Sequence, residues 1–117
     1  MYRRAEAGNL TEEAYKQWIL EELERHRRKD RMTIPLETIY TYIDKVLESL
    51  PDAEHVAHDH FPAAFLALRQ EGKIRLLKYS REEWRLISEE LAEADFQMTM
   101  ARFNLHRYAA ELVLQQS

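Results

Sequence analysis

Apolar residues recur at every third or fourth position over most of this chain, which is the spacing of amphipathic helices. The pattern is clearest between Pro35 and Pro51, where the apolar positions keep helical spacing without a miss. Proline fits the first turn of a helix, and a later proline ends it. The pattern therefore predicts one helix between these prolines. Its apolar stripe consists of Leu36, Ile39, Tyr40, Ile43, Val46, Leu47 and Leu50.

A second amphipathic segment precedes this helix, from about Leu10 to about Lys29. Glu12 and Glu13 lie in its first turn, where negative charge complements the helix dipole. Its last turn carries a cluster of arginines, and positive charge is favourable at that end of a helix. A helix is therefore predicted here. Its apolar stripe consists of Tyr15, Trp18, Ile19 and Leu23.

A third helix is predicted from Asp59 or His60 to Gly72. Pro62 suits the first turn, and glycine is the residue that most often ends a helix in the left-handed conformation. The apolar stripe of this helix consists of Phe61, Ala64, Phe65 and Leu68.

The chain after Gly72 alternates between polar and apolar residues. Alternation from Lys73 to Leu76 predicts a short strand. Ser80 and Glu83 form a capping box, which predicts a fourth helix over residues 81–94. In the tail, Phe96, Met98 and Met100 alternate as in a strand, and a strand is predicted over residues 96–104. The same segment also fits a helical stripe, so a helix remains the alternative there.

The sequence HFPAAFLALRQEGKIRL resembles the third helix and first wing strand of winged-helix domains. The resemblance covers residues 33–79, and the matching residues are Phe61, Ala64, Phe65, Leu68, Gly72 and Ile74. It implies a mostly α fold with a small β element (α+β), in which a three-helix core carries a short antiparallel strand pair. Residues 1–32 would then be an N-terminal helical extension, and residues 33–117 the winged-helix-like domain.

Composition narrows the classes of function. A chain of 117 residues fits one domain. The absence of cysteine excludes disulfides, thiolate zinc sites and a cysteine nucleophile, and two glycines are too few for a phosphate-binding loop. The longest apolar runs are too short to span a membrane, and the N-terminus does not resemble a secretory signal. We expect no membrane contact and a cytoplasmic location.

The net charge of −4 is unevenly distributed along the chain. Residues 35–72 hold seven acidic and two basic side chains, whereas basic residues cluster on either side of that segment. A basic cluster contacts phosphates or acidic partners, or it is simply a solvated helix end. The residues predicted to contact nucleic acid or an acidic partner are Arg25, Arg27, Arg28, Lys29, Arg31, Arg69, Lys73, Arg75 and Lys78.

Catalytic and metal-binding patterns are weak. His55, His58 and His60 stand among acidic residues, but their spacing does not place all three on one helix face. We interpret this segment as a polar turn and expect neither a metal nor a cofactor. The four serines and the adjacent glutamate pairs form no catalytic constellation, so we expect no enzyme.

Two functions follow as hypotheses. The winged-helix resemblance implies a small regulatory module that binds double-stranded DNA and acts in transcription. The alternative is a protein-interaction adaptor or inhibitor, for example one encoded by a phage or mobile element, that binds no nucleic acid. A homodimer is predicted as well, because a core this small would leave part of the first helical stripe uncovered. The predicted dimer interface consists of Trp18, Ile19 and Leu23.

Overall fold

A computed structural model of the protein describes residues 12–50, 60–79, 86–87 and 92–113, with residues 86–87 described by their backbone. The architecture is mostly α with one small antiparallel sheet, which confirms the predicted α+β class. In chain order the elements are α1 (Glu12–Arg27), β1 (Thr33–Pro35), α2 (Leu36–Glu48), α3 (His60–Gln70), β2 (Ile74–Tyr79), β3 (Leu86–Ile87), α4 (Glu93–Ala101), a 3-10 turn (Leu105–Arg107) and β4 (Tyr108–Leu112).

The last strand lies inside the sheet. The strand order is β1-β4-β2-β3, and every neighbouring pair is antiparallel. Ala110 of β4 faces Ile34 of β1 on one side and Leu76 of β2 on the other. All three side chains are buried against the helices. The sheet is larger than the strand pair expected from sequence, because the short strands β1 and β3 add to its two edges.

Helix α1 belongs to the same core as the rest of the chain. Tyr15 and Ile19 are fully buried, and they pack in one cluster with side chains from α2, α3 and the sheet. The predicted boundary near residue 32 stays a prediction, and α1 packs in the same core as the elements that follow it.

The predicted helix over residues 81–94 is wrong at residues 86–87, and of its described residues only Glu93 and Ala94 are helical, as the start of α4. Leu86 and Ile87 form the edge strand β3, which pairs with Tyr79 and Lys78 of β2. Ser80 and Glu83, which suggested a helix start, lie outside the described residues. Backbone pairing with β2 thus prevails at residues 86–87 over the local helical pattern.

The predicted strand over residues 96–104 is also wrong, since residues 93–101 form helix α4. Phe96 and Met100 stand four residues apart and are both buried, whereas Met98 is 55% exposed. That distribution has helical periodicity. The strand of this region comes later, at Tyr108–Leu112.

Helix α3 ends as the sequence predicted. Gly72 has a φ angle of +77°, and its N–H donates to the carbonyl of Arg69. The N–H of Lys73 donates to the carbonyl of Leu68. These two bonds form a Schellman motif, which turns the chain from α3 directly into β2.

Candidate functional site

The arginine cluster at the end of α1 is largely paired within its own helix. Arg25 forms two hydrogen bonds with Glu22, at 2.8 and 3.0 Å. Arg27 forms a similar two-bond contact with Glu24, with Nε at 2.8 Å. Each pair spans three residues, a spacing that brings side chains together on a helix. These arginines therefore carry their counter-charges beside them.

The pairing favours the charged forms on both sides. Hydrogen bonds from Arg27 lower the pKa of the Glu24 carboxyl. The hydrogen bond to Glu22 raises the pKa of Arg25, and the bond to Glu24 raises that of Arg27. Arg28 adds a contact of 3.6 Å to Glu24. A phosphate group would thus compete with two glutamates for the cluster.

Two other cations of the cluster stand apart from these pairs. Lys29 and Arg31 are exposed, and they form no ion pair with any carboxylate in the part of the chain that the structure describes. They follow the last turn of α1, where Asp30 takes a positive φ angle of 62°. The basic surface available at this end is therefore small.

The second basic set is also paired. Lys73 contacts Glu71 at 3.2 Å, and Lys78 contacts Asp95 at 2.9 Å. Arg75 contacts Glu111 across the sheet at 3.1 Å. Among the residues predicted to contact nucleic acid, Arg69 alone lies on α3, where it is half-buried. The predicted residues therefore lie on separate elements, each mostly beside an acidic partner.

Helix α3 offers little for reading base pairs. Five of its eleven residues are buried, and all five are apolar. Direct readout in the major groove uses exposed Arg, Lys, Asn or Gln side chains. On this helix those types are confined to Arg69 and Gln70, both in its last turn.

The predicted dimer interface lies inside the monomer. Trp18, Ile19 and Leu23 are 7%, 0% and 2% exposed. They pack in the core formed by this single chain. These side chains are therefore largely covered by the chain itself, and the homodimer stays a prediction.

A groove between α1 and α2 forms a mostly apolar concavity on the surface. Its volume is about 530 Å³. The walls combine the buried Trp18 and half-buried apolar side chains with a few polar groups at the rim. We call this feature the α1–α2 groove; its lining residues are Ala14, Gln17, Trp18, Glu21, Tyr42, Val46, Ser49 and Leu50.

One feature of the sequence points to this groove. Tyr42 stands off the apolar stripe of its helix, and this position alone would predict an exposed side chain. It is instead half-buried against the core, and this burial raises the pKa of its hydroxyl. An aromatic residue beside an apolar stripe marks the edge of a wider apolar face.

A buried polar contact in α1 was not foreseen. Glu22 is 2% exposed and His26 is 7% exposed. The Nε2 atom of His26 lies 3.1 Å from Glu22 Oε2. The helical stripe had suggested only apolar burial on this helix. The spacing of four residues between acid and histidine was the available signal.

The histidine-rich turn falls mostly outside the described residues, since His55 and His58 lie there. His60 begins α3, and its ring lies 5.6 Å from that of Tyr15. In the described ranges, no three side chains of the His, Cys, Asp and Glu types converge as metal ligands would.

No described helix has both the length and the apolar content needed to cross a membrane. The chain matches no protein-family model, no curated protein and no solved structure in the three comparisons made.

Proposed function

We propose that the protein is a non-catalytic protein-interaction module that binds its partner in the α1–α2 groove. The observation that carries this proposal is the combination of apolar walls and polar rim in that groove. Grooves of this kind accept the apolar face of a partner helix. The occupant would be an amphipathic helical segment.

The charges favour a basic edge on that segment. Glu21 lies at the rim of the groove and is exposed. The chain as a whole carries a net charge of −4. Complementary charge speeds association and selects among partners. A lysine or arginine beside the apolar face of the partner would meet Glu21.

The experiment is affinity capture with one variant on each wall of the groove. Ala14→Glu and Leu50→Glu place a buried or half-buried carboxylate where the partner would bring apolar atoms, which is costly. Wild type should recover a partner at a stoichiometric ratio, and both variants should lose it. Gln97→Glu is the matched control, because it adds the same charge at an exposed position of α4.

The variants must be compared as folded proteins, checked by circular dichroism. Recovery of the same partner by both groove variants at the wild-type level would contradict the proposal. Loss of that partner from Gln97→Glu as well would contradict it too, because the effect would then be one of net charge.

A second candidate function is that of a DNA-binding regulator of the winged-helix type. The order of elements supports it, since three helices, with β1 between the first two, precede the antiparallel strands β2 and β3. Lys29 and Arg31 would supply phosphate contacts. Replacing both with glutamine should then reduce the salt dependence of duplex binding by about two phosphate contacts.

A further inference from the structure

A second concavity lies on a different part of the molecule, where β2, α4 and the 3-10 turn meet. Its volume is about 330 Å³. We call it the α4 cleft. Its polar lining consists of Lys78, Asp95, Thr99, Arg102, Asn104 and Arg107. None of these residues lines the α1–α2 groove.

The α4 cleft carries an excess of positive charge. Three of its side chains are cations, and Asp95 is the single anion among its described lining residues, which leaves a formal charge of +2. Asp95 Oδ2 already accepts a hydrogen bond from Lys78 Nζ at 2.9 Å and another from the hydroxyl of Tyr108. These bonds lower the pKa of Asp95, so it is ionised at neutral pH.

The two arginines form no direct contact with an acidic group in the described part of the chain, and the charge of Arg107 also helps to lower the pKa of Asp95. Neither Arg102 nor Arg107 forms an ion pair with a carboxylate of the described residues. Arg102 is exposed and Arg107 is half-buried, and both line the same cleft. The guanidinium group presents a planar set of donors that matches two oxygens of an oxyanion. This contrasts with Arg25 and Arg27, whose donors are used by neighbouring glutamates.

We propose that the α4 cleft binds the phosphate group of a small phosphomonoester. A phosphomonoester carries a charge between −1.5 and −2 at about pH 7, close to the charge needed to neutralise the cleft. A carboxylate would supply half as much. Thr99 and Asn104 add neutral donors beside the arginines. The cleft volume leaves room for a small organic group on the phosphate.

The proposal is independent of the protein-interaction function. The α1–α2 groove is formed by the two helices before residue 51, whereas the cleft is formed after residue 77. A chain that fails to capture a partner could still bind phosphate, and the reverse also holds. A negative result in one experiment therefore leaves the other proposal unaffected.

The test is a titration of the full chain with inorganic phosphate and with a sugar phosphate, followed by NMR or calorimetry at constant ionic strength. Saturable binding with a Kd of about 1 mM or tighter is expected. The sugar phosphate should bind at least as tightly as inorganic phosphate. The same sugar without phosphate should not bind.

Arg102→Gln and Arg107→Gln should each weaken phosphate binding about tenfold. Arg31→Gln is the matched control, since it removes an exposed arginine outside the cleft, and it should leave the affinity unchanged. Arg102→Lys, which keeps the charge but not the planar donor set, should fall between wild type and Arg102→Gln.

Binding should strengthen as the pH rises through about 6, where the monoester takes its second charge. Three results would each overturn the proposal. They are no saturation at about 10 mM phosphate, equal weakening by Arg31→Gln and the two cleft variants, and equal affinity for the unphosphorylated sugar.

Discussion

In the described part of the chain, three residues that follow a helix have a positive φ angle: Asp30, Gly72 and Phe103. In each case the residue's own N–H and that of the next residue bond back to the last turn, as in a Schellman motif. Two of these positions are not glycine. Asp30 is exposed after α1, whereas the ring of Phe103 lies edge-on at 5.0 Å from Tyr40. The positive φ angle of Phe103 costs backbone strain, and the contact of its ring with Tyr40 offsets that cost.

Gly72 gives a prediction that isolates the backbone. An added Cβ would meet no atom within 4 Å, so the effect of Gly72→Ala comes from the φ angle of +77° alone. We expect the substitution to lower the free energy of unfolding by about 1 kcal/mol. Urea denaturation measures it. Asp30→Gly should move stability in the opposite direction, and a loss in both variants would contradict this explanation.

Glu22 is the buried carboxylate on which Arg25 and His26 converge. Glu22→Gln keeps the shape but removes the charge, so the guanidinium loses its partner. We expect a loss of about 2 kcal/mol in the free energy of unfolding, also measured with urea. The neighbouring Glu21→Gln, at an exposed position, should cost little. If both variants lose the same free energy of unfolding, the burial of Glu22 does not explain the loss.

At the level of single residues, the sequence predicted the basic side chains but only part of their pairing. The pairs of Arg25 and Arg27 lie three residues apart, so helical spacing reveals them. The partners of Arg75 and Lys78 stand 36 and 17 residues away. Such contacts depend on the strand order, which no local pattern specifies.

Among the elements, β4 is the one that organises the sheet. Glu111 accepts a hydrogen bond from Thr33 of β1 at 2.8 Å and one from Arg75 of β2 at 3.1 Å. One side chain therefore links three strands. The register of β1 rests on three residues paired with a segment almost eighty positions later in the chain. This strand is too short and too distant from its partner to be read from alternation.

The apolar pattern predicts the helices with regular stripes correctly, but it fails where a segment fits both a helix and a strand. The apolar stripe between Pro35 and Pro51 forms α2, which begins directly after Pro35. The spacing of Phe96, Met98 and Met100 fits both a strand and a helix. The segment forms a helix, in which Phe96 is buried against Tyr108. The edge strand β3 has two residues and depends on pairing with β2. Local periodicity carries no signal for such an element.

Asp95 ties α4 to β2 and β4 and makes that attachment sensitive to acid. Its hydrogen bonds with Tyr108 and Lys78 lower its pKa below the ordinary value of 3.8. A depressed pKa stabilises the fold above the unfolded-state value, and this stabilisation is lost as the pH falls through the folded-state value. We therefore expect wild type to lose more stability than Asp95→Asn between about pH 5 and about pH 2.

The measurement is thermal unfolding of both proteins across that pH range. Asp95→Asn should be the less stable protein at neutral pH, and the difference should shrink in acid. A difference that stays constant with pH would contradict the assignment, since it would reflect packing rather than the charge of Asp95.

For the whole molecule, the central structural finding is one core shared by all the described helices. Tyr15, Ile19 and Leu23 of α1 are nearly or fully buried in it. Full burial of such a side chain contributes about 1.5–3 kcal/mol, and small domains are stable by about 5–15 kcal/mol. Removing α1 would therefore cost most of the stability.

We expect a fragment of residues 33–117 to lack cooperative unfolding, as measured by circular dichroism during heating. The full chain should show one sharp transition. A fragment that unfolds cooperatively at the temperature of the full chain would support the boundary predicted from the sequence.

Most of the predicted DNA-contacting residues of this protein are paired with its own carboxylates, and the α1–α2 groove is proposed to bind protein. The most direct test of this account is fluorescence anisotropy of random duplex DNA titrated with the full chain at low salt. Non-specific DNA binders show a Kd of about 1–100 µM even at physiological salt. We predict no saturation up to about 100 µM protein. Micromolar binding with a salt dependence equivalent to about five or more phosphate contacts would contradict the account.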